Sequence, residues 1–326
     1  MTLPEILLIA TTFAALAAGC SGTESVRQDS GAAAISRVIV FGDSLSDSGA
    51  AHALTGRMLA EKFSGAFAFP APASAYPRGH WSNGPTAVSH FATLLPAPID
   101  NYALGGATTG RALYDSAAGT PPLFDRWFAK DGGGVQGQIA RYLADRMQAA
   151  ARPERNALFV IFASWNDYFR FSDYKLPGTP VDVADQAVAN LRTAFESLHG
   201  AGAKRFLFVN SPSAPVLGKL QDNVRFDQFK RRFNGGLAAL AAELATAHRD
   251  VEITLFDAYA ADRAILAEAA KYGFSTADTP CQPVFSVPRP PPPPCTDPDR
   301  HYYWDELHPS ARAHQLLGIE MFGLYR

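Results

Sequence analysis

The chain is short of several things, and each shortage removes a class of function. It has 29 basic and 31 acidic side chains, a net charge of −2 over 326 residues. It therefore lacks the basic excess that a nucleic-acid binder needs. Beyond residues 6–18 no further apolar run is long enough to span a bilayer. No period of about 20–50 residues recurs, which argues against a solenoid. Only three cysteines are present, Cys20, Cys281 and Cys295, and no Cys or His stands at ligand spacing beside the last two. A zinc site is not expected there. The G-x-S-x-G elbow that presents many serine nucleophiles is also missing.

What is present is ordinary globular material, 47% hydrophobic and 18% charged, long enough for one large α/β domain and with no linker dividing its middle. Short apolar runs at 38–41, 99–104, 157–163, 205–210 and 251–256 read as strands. Helical periodicity covers 50–63, 86–95, 135–151, 181–199, 223–248, 257–272 and 310–322, with a break expected near Asn234-Gly235-Gly236. Five apolar strands alternating with helices predict a parallel sheet covered on both faces. Residues 64–78 and 120–134 read as loops. Phe67, Phe69 and Tyr76 in the first loop, with Tyr168, Phe169 and Phe171 later, could wall an apolar substrate site or pack in the core.

The N-terminus is set apart. Residues 6–18 have the length of a signal-peptide apolar region, and Leu16-Ala17-Ala18-Gly19-Cys20 resembles a bacterial lipobox in which Cys20 would be lipidated. The division expected is a signal over 1–20, a flexible polar tether over 21–35 and one folded domain over 36–326. Against an export signal stands Glu5, with no Lys or Arg before the apolar run. Cys281 and Cys295 flank a proline-rich stretch. In an oxidising compartment they could close it as a disulfide, or they could be two free thiols.

Two stretches carry chemistry. Val38 to Phe41 is a strand-like run that stops at Gly42 and delivers Asp43-Ser44 to the carboxyl edge of the sheet, where open α/β folds place their ligands. Near the other end, Asp305 and His308 are three residues apart, so one helical turn would set them on one face, with Pro309 suited to a helix start. An Asp beside a His fixes the imidazole tautomer, and the imidazole can then deprotonate a serine. Each stretch alone has an ordinary reading: a turn for the first, a helix start with a surface histidine for the second.

Together they resemble the SGNH or GDSL hydrolases. Gly42-Asp43-Ser44-Leu45 is similar to that family's first block, Asn101 to Thr108 to its second, Ser164-Trp165-Asn166-Asp167 to its third and Asp305 to His308 to its last, in the family's order. Phe41 to Gly49 and Gly79 to Pro85 resemble most the secreted lipase, phospholipase and haemolysin branch. The resemblance implies a three-layer αβα sandwich with a five-stranded parallel sheet, flavodoxin-like in order. It implies Ser44, His308 and Asp305 as the catalytic triad of a carboxylic ester hydrolase. It also implies an oxyanion hole from the Ser44 N–H, a glycine N–H (Gly106 rather than Gly105) and the Asn166 side chain. No metal or cofactor is called for, and the partner is a small-molecule or lipid ester. One departure stands out: Ser164 occupies the third block's usual glycine position. Alternatives on the same residues are a lipid acyltransferase or phospholipase A and a carbohydrate acetylesterase. An inactive binding module is the alternative from outside enzymology.

Overall fold

A computed structural model describes residues 34–62, 68–114, 132–213, 223–282 and 293–326. The expected signal, the tether to Ala33, Cys20, Phe67 and most of the 120–134 loop lie outside these residues. Residues 35–326 form one compact unit.

Five strands build the sheet: β1 (Arg37–Gly42), β2 (Ile99–Asn101), β3 (Ala157–Phe162), β4 (Arg205–Val209) and β5 (Glu252–Phe256). All are parallel and run in the order β2-β1-β3-β4-β5. Between them pass the helices α1 (Ala50–Lys62), α2 (Ala87–Leu94), α3 (Val135–Gln148), α4 (Trp165–Asp173), α5 (Pro180–Ala201), α6 (Asn223–Ala247) and α7 (Ala258–Ala267). The last helix, α8 (Ala311–Gly323), packs on α2, and α5 packs on α6.

Burial explains which strands are wholly apolar. β3 and β4 are buried along their length and β1 nearly so, because helices cover both faces of the central strands. The edge strands carry Asp100 and Asn101 in β2 and Glu252 and Thr254 in β5, where one side meets solvent. The chain order reverses between β1 and β3, and in such sheets the crevice outside the strands' carboxyl ends at that point receives the ligand. Ser44 follows β1 there, and Asn166 follows β3.

The structure differs from the expectations in several places. The second strand ends at Asn101, although Tyr102 and Leu104 still donate to the carbonyls of Val40 and Gly42 at 2.9 and 3.0 Å. α6 runs unbroken through Asn234-Gly235-Gly236. A Cβ on Gly236 would stand 3.0 Å from Val188 of α5, so the glycine marks a close helix approach rather than a break. α7 stops at Ala267 and a 3-10 turn over Ala269–Tyr272 follows. Finally, residues 305–308 are not a helical turn, for a reason that belongs to the site.

Candidate active site

The loop after β1 is fixed from two directions. Gln138 of α3 clamps Gly42, its Oε1 accepting the Gly42 N–H at 2.8 Å and its Nε2 donating to the Gly42 carbonyl at 2.8 Å. Asp43 closes the turn, Oδ1 accepting from the Leu45 N–H at 3.0 Å and its carbonyl accepting from Ser46 and Asp47. Asp43 is buried, and burial pushes its carboxyl up to about 7. Four residues on, the buried Asp47 receives the N–H groups that open α1, from Gly49, Ala50 and Ala51. It also receives Gly105 N–H at 2.8 Å and Trp81 Nε1–H at 3.3 Å. One carboxylate therefore starts α1 and ties the first block to the second.

That tie sets the two glycines apart. The Gly105 N–H is committed to Asp47. Gly106 sits at φ +85°, a left-handed conformation natural to glycine, and a Cβ there would lie 2.4 Å from the Tyr114 carbonyl. Its N–H has no acceptor among the described residues, and Gly106 lines the same cavity as Ser44. Asn166 stands in the first turn of α4, one side-chain N–H donating to the Ala107 carbonyl at 3.1 Å. Asp167 beside it accepts from the Thr109 backbone and hydroxyl at 2.9 and 2.8 Å, and burial pushes its carboxyl up to about 6. Ser164, which departs from the usual glycine, has φ −162°, extended backbone open to any residue. That φ lies outside the left-handed region that would call for glycine.

Asp305 and His308 arrive on an irregular turn between Tyr303 and Pro309, which pair with each other across it. Asp305 Oδ1 accepts the backbone N–H of Leu307 and of His308, each at 2.8 Å. This side-chain-to-backbone turn brings two residues three apart together as well as a helix does. The helix begins later, capped by Ser310 through the Ala313 N–H, so Pro309 precedes its cap instead of opening its first turn. The turn is also held from outside. Ser82 Oγ donates to the Pro309 carbonyl at 2.8 Å, and the Ala311 N–H donates to Asn83 Oδ1 at 2.7 Å.

The five residues expected at the site come together at the carboxyl edge, all but Asp305 lining one cavity. His308 Nδ1 lies 2.8 and 2.9 Å from the two oxygens of Asp305, and its Nε2 lies 2.8 Å from Ser44 Oγ. An ionised carboxylate only accepts, so Nδ1 carries the hydrogen and Nε2 is left to accept the serine proton. Asp305 and His308 are almost fully buried, while Ser44 keeps some access. The cavity's apolar wall includes Phe69, Trp81, Phe169 and Leu307. Tyr168 and Phe171 pack in the core, and Tyr76 does not line the cavity: it is buried behind Asp305, donating to Oδ2 at 2.9 Å. Gln138 and Asp47 are not legible in the sequence as site residues, and Tyr76 reads there only as a possible substrate wall or core residue, because each reaches a partner distant in sequence.

At the opposite edge His199, His248 and Asp250 bring ligand-type atoms within 4.8 Å of one another. Asp250 there already pairs with the Lys204 ammonium, whose charge opposes a cation. The two remaining cysteines, Cys281 and Cys295, form a disulfide.

The chain belongs to the GDSL-like lipase/acylhydrolase family, whose profile matches residues 38–321, and so to the carboxylic ester hydrolases. It is 28% identical to a GDSL esterase/lipase of Arabidopsis thaliana, covering 88% of this chain and 86% of the relative. It is 26% identical to the thermolabile hemolysin of Vibrio parahaemolyticus, covering 88% of this chain and 63% of that protein. Among solved structures, a catalytic mutant of Axe2, an acetylxylan esterase from Geobacillus stearothermophilus, matches with TM-score 0.44 at 15% identity, covering 88% of this chain and 93% of that one.

Proposed function

We propose that the chain cleaves acyl esters through a covalent acyl-enzyme on Ser44. The observation that carries this reading is the unbroken chain of contacts from Ser44 Oγ through His308 to Asp305. His308 Nε2 takes the hydroxyl proton as Oγ bonds to the ester carbonyl carbon, and Asp305 stabilises the imidazolium. The carbonyl oxygen becomes an oxyanion, which in this reading the N–H groups of Ser44 and Gly106 and the side chain of Asn166 receive. Collapse expels the alcohol, which leaves with the proton from His308. Water then adds to the acyl carbon with His308 again the base, and the acid departs. These residues supply every proton transfer that the reaction needs.

The cavity wall of Phe69, Trp81, Phe169 and Leu307 supports an apolar acyl group as the part of the substrate held at the site. In this reading residues 36–326 are the catalytic domain, exported from a bacterial cell behind the 1–20 signal and tethered to a membrane through Cys20. No helix among the described residues is long and apolar enough to cross a membrane.

A fluorophosphonate probe tests the nucleophile: the intact protein is labelled and Ser44→Ala is not. Labelling that survives in Ser44→Ala overturns the reading. A series of p-nitrophenyl esters beside phosphatidylcholine and an acetylated sugar then sorts lipase, phospholipase and carbohydrate esterase, and added alcohol acceptors reveal acyl transfer.

A further inference from the structure

Asp305 has four donors around it among the described residues. Three come from its own turn: the backbone N–H groups of Leu307 and His308, and His308 Nδ1–H. The fourth, the Tyr76 hydroxyl, reaches Oδ2 at 2.9 Å from 229 residues earlier in the chain. Both partners are fully buried. We propose that Tyr76 is a positioning residue of the esterase, holding the Asp305 carboxylate in the orientation in which it meets His308; the inference rests on the triad reading above.

Three observations support a role beyond packing. First, a phenylalanine would fill the same space, yet Tyr76 turns its hydroxyl onto the one carboxylate that contacts His308 Nδ1. Second, Tyr76 is itself held. Its N–H donates to the Pro72 carbonyl at 3.2 Å, and its carbonyl accepts from the Gly79 N–H at 3.0 Å. Its ring meets Trp304 edge-on, with centroids 6.1 Å apart, and packs in one cluster with Trp304, Ala75 and the Cys281–Cys295 bridge. Third, burial and the neighbouring carboxylates of Asp305 and Glu306 push the phenol's ionisation far above its ordinary range, so the hydroxyl remains a donor at any working pH. A buried carboxylate without its full set of donors rotates or gathers water, and either change moves it off the line to His308 Nδ1. The backbone of the turn reaches only Oδ1, and Oδ2 is held by Tyr76 and His308 Nδ1, so among the described residues Tyr76 supplies the one hydrogen bond to the carboxylate from outside its own turn.

The test uses the full chain with rates expressed per fluorophosphonate-titrated site, which removes any misfolded fraction. Tyr76→Phe is expected to lower kcat about tenfold, the effect of losing one hydrogen bond to a charged group, with KM within about twofold. In an Asp305→Asn background the same change is expected to alter kcat by less than about twofold, because the group it acts through is gone. Installing 4-aminophenylalanine at position 76, which keeps a donor at the ring's end, restores most of the lost rate. A kcat unchanged in Tyr76→Phe, an equal loss in both backgrounds, or no rescue by the amino variant overturns the proposal. Labelling that persists in Ser44→Ala would overturn the triad itself, so the two failures are told apart.

Discussion

The two halves of the site are built on different principles. The half with Ser44, Gly106 and Asn166 stands on the sheet. Ser44 follows an apolar strand at the switch point, Asn166 opens a helix directly after another, and Gly106 lies just past a third. The half with Asp305 and His308 stands on an irregular turn fastened by side chains from residues 76–83 and, one residue away, by backbone bonds to the disulfide-bearing segment at Cys281 and Gln282. The first half inherits its precision from a ladder that exists for stability. The second is assembled from single tertiary bonds, and so it should be the easier to loosen without unfolding the protein.

The largest expected effect is common to both halves. His308→Ala removes the base and lowers kcat by roughly 10⁴-fold or more, measured with a p-nitrophenyl ester. Asn166→Ala in the sheet-borne half is expected to cost about 10²–10³-fold in kcat as one oxyanion donor is lost, with little change in melting temperature. Replacing Cys281 and Cys295 by serine strikes the other half. The bridge spans 14 residues and its loss lowers unfolding free energy by about 2–4 kcal/mol, read by urea denaturation. If the comparison holds, kcat per titrated site falls as well, since Trp304 and Tyr76 rest on that bridge. An undiminished kcat would show that the turn is self-sufficient.

The smallest effect is a pH dependence lodged in the sheet-borne half. Burial raises the carboxyls of Asp43 to about 7 and Asp167 to about 6. The folded chain thus binds protons there more readily than the unfolded chain, whose carboxyls titrate near 4. Their contribution to stability is greatest below about pH 4 and declines as pH rises to about 7. Chemical denaturation across that window should show the decline, and Asp167→Asn should flatten its lower part.

Legibility in the sequence followed the same division. β1, β3 and β4 could be read because central parallel strands, buried on both faces, leave near-continuous apolar runs, whereas the edge strands β2 and β5 are read from shorter runs carrying polar residues. Ser44 could be singled out because it closely follows the apolar run of β1, whereas Asn166 is read from the resemblance of its block. The spacing of Asp305 and His308 was readable but its geometry was not, since a helical turn and an Asp-anchored turn both bring residues three apart together. The break expected at Asn234-Gly235-Gly236 failed because tertiary packing overrode glycine's weak helix propensity. Tyr76 reads in the sequence as a possible substrate wall or core residue because a lone aromatic carries no trace of a partner 229 positions away.

Ser44 and His308 are separated by 264 positions yet share a hydrogen bond. If the proposed mechanism holds, a ribosome must add 264 residues after Ser44 before that serine can meet its base. Under the proposed mechanism, a nascent chain that stops short of His308 carries a Ser44 hydroxyl that has not yet met its base.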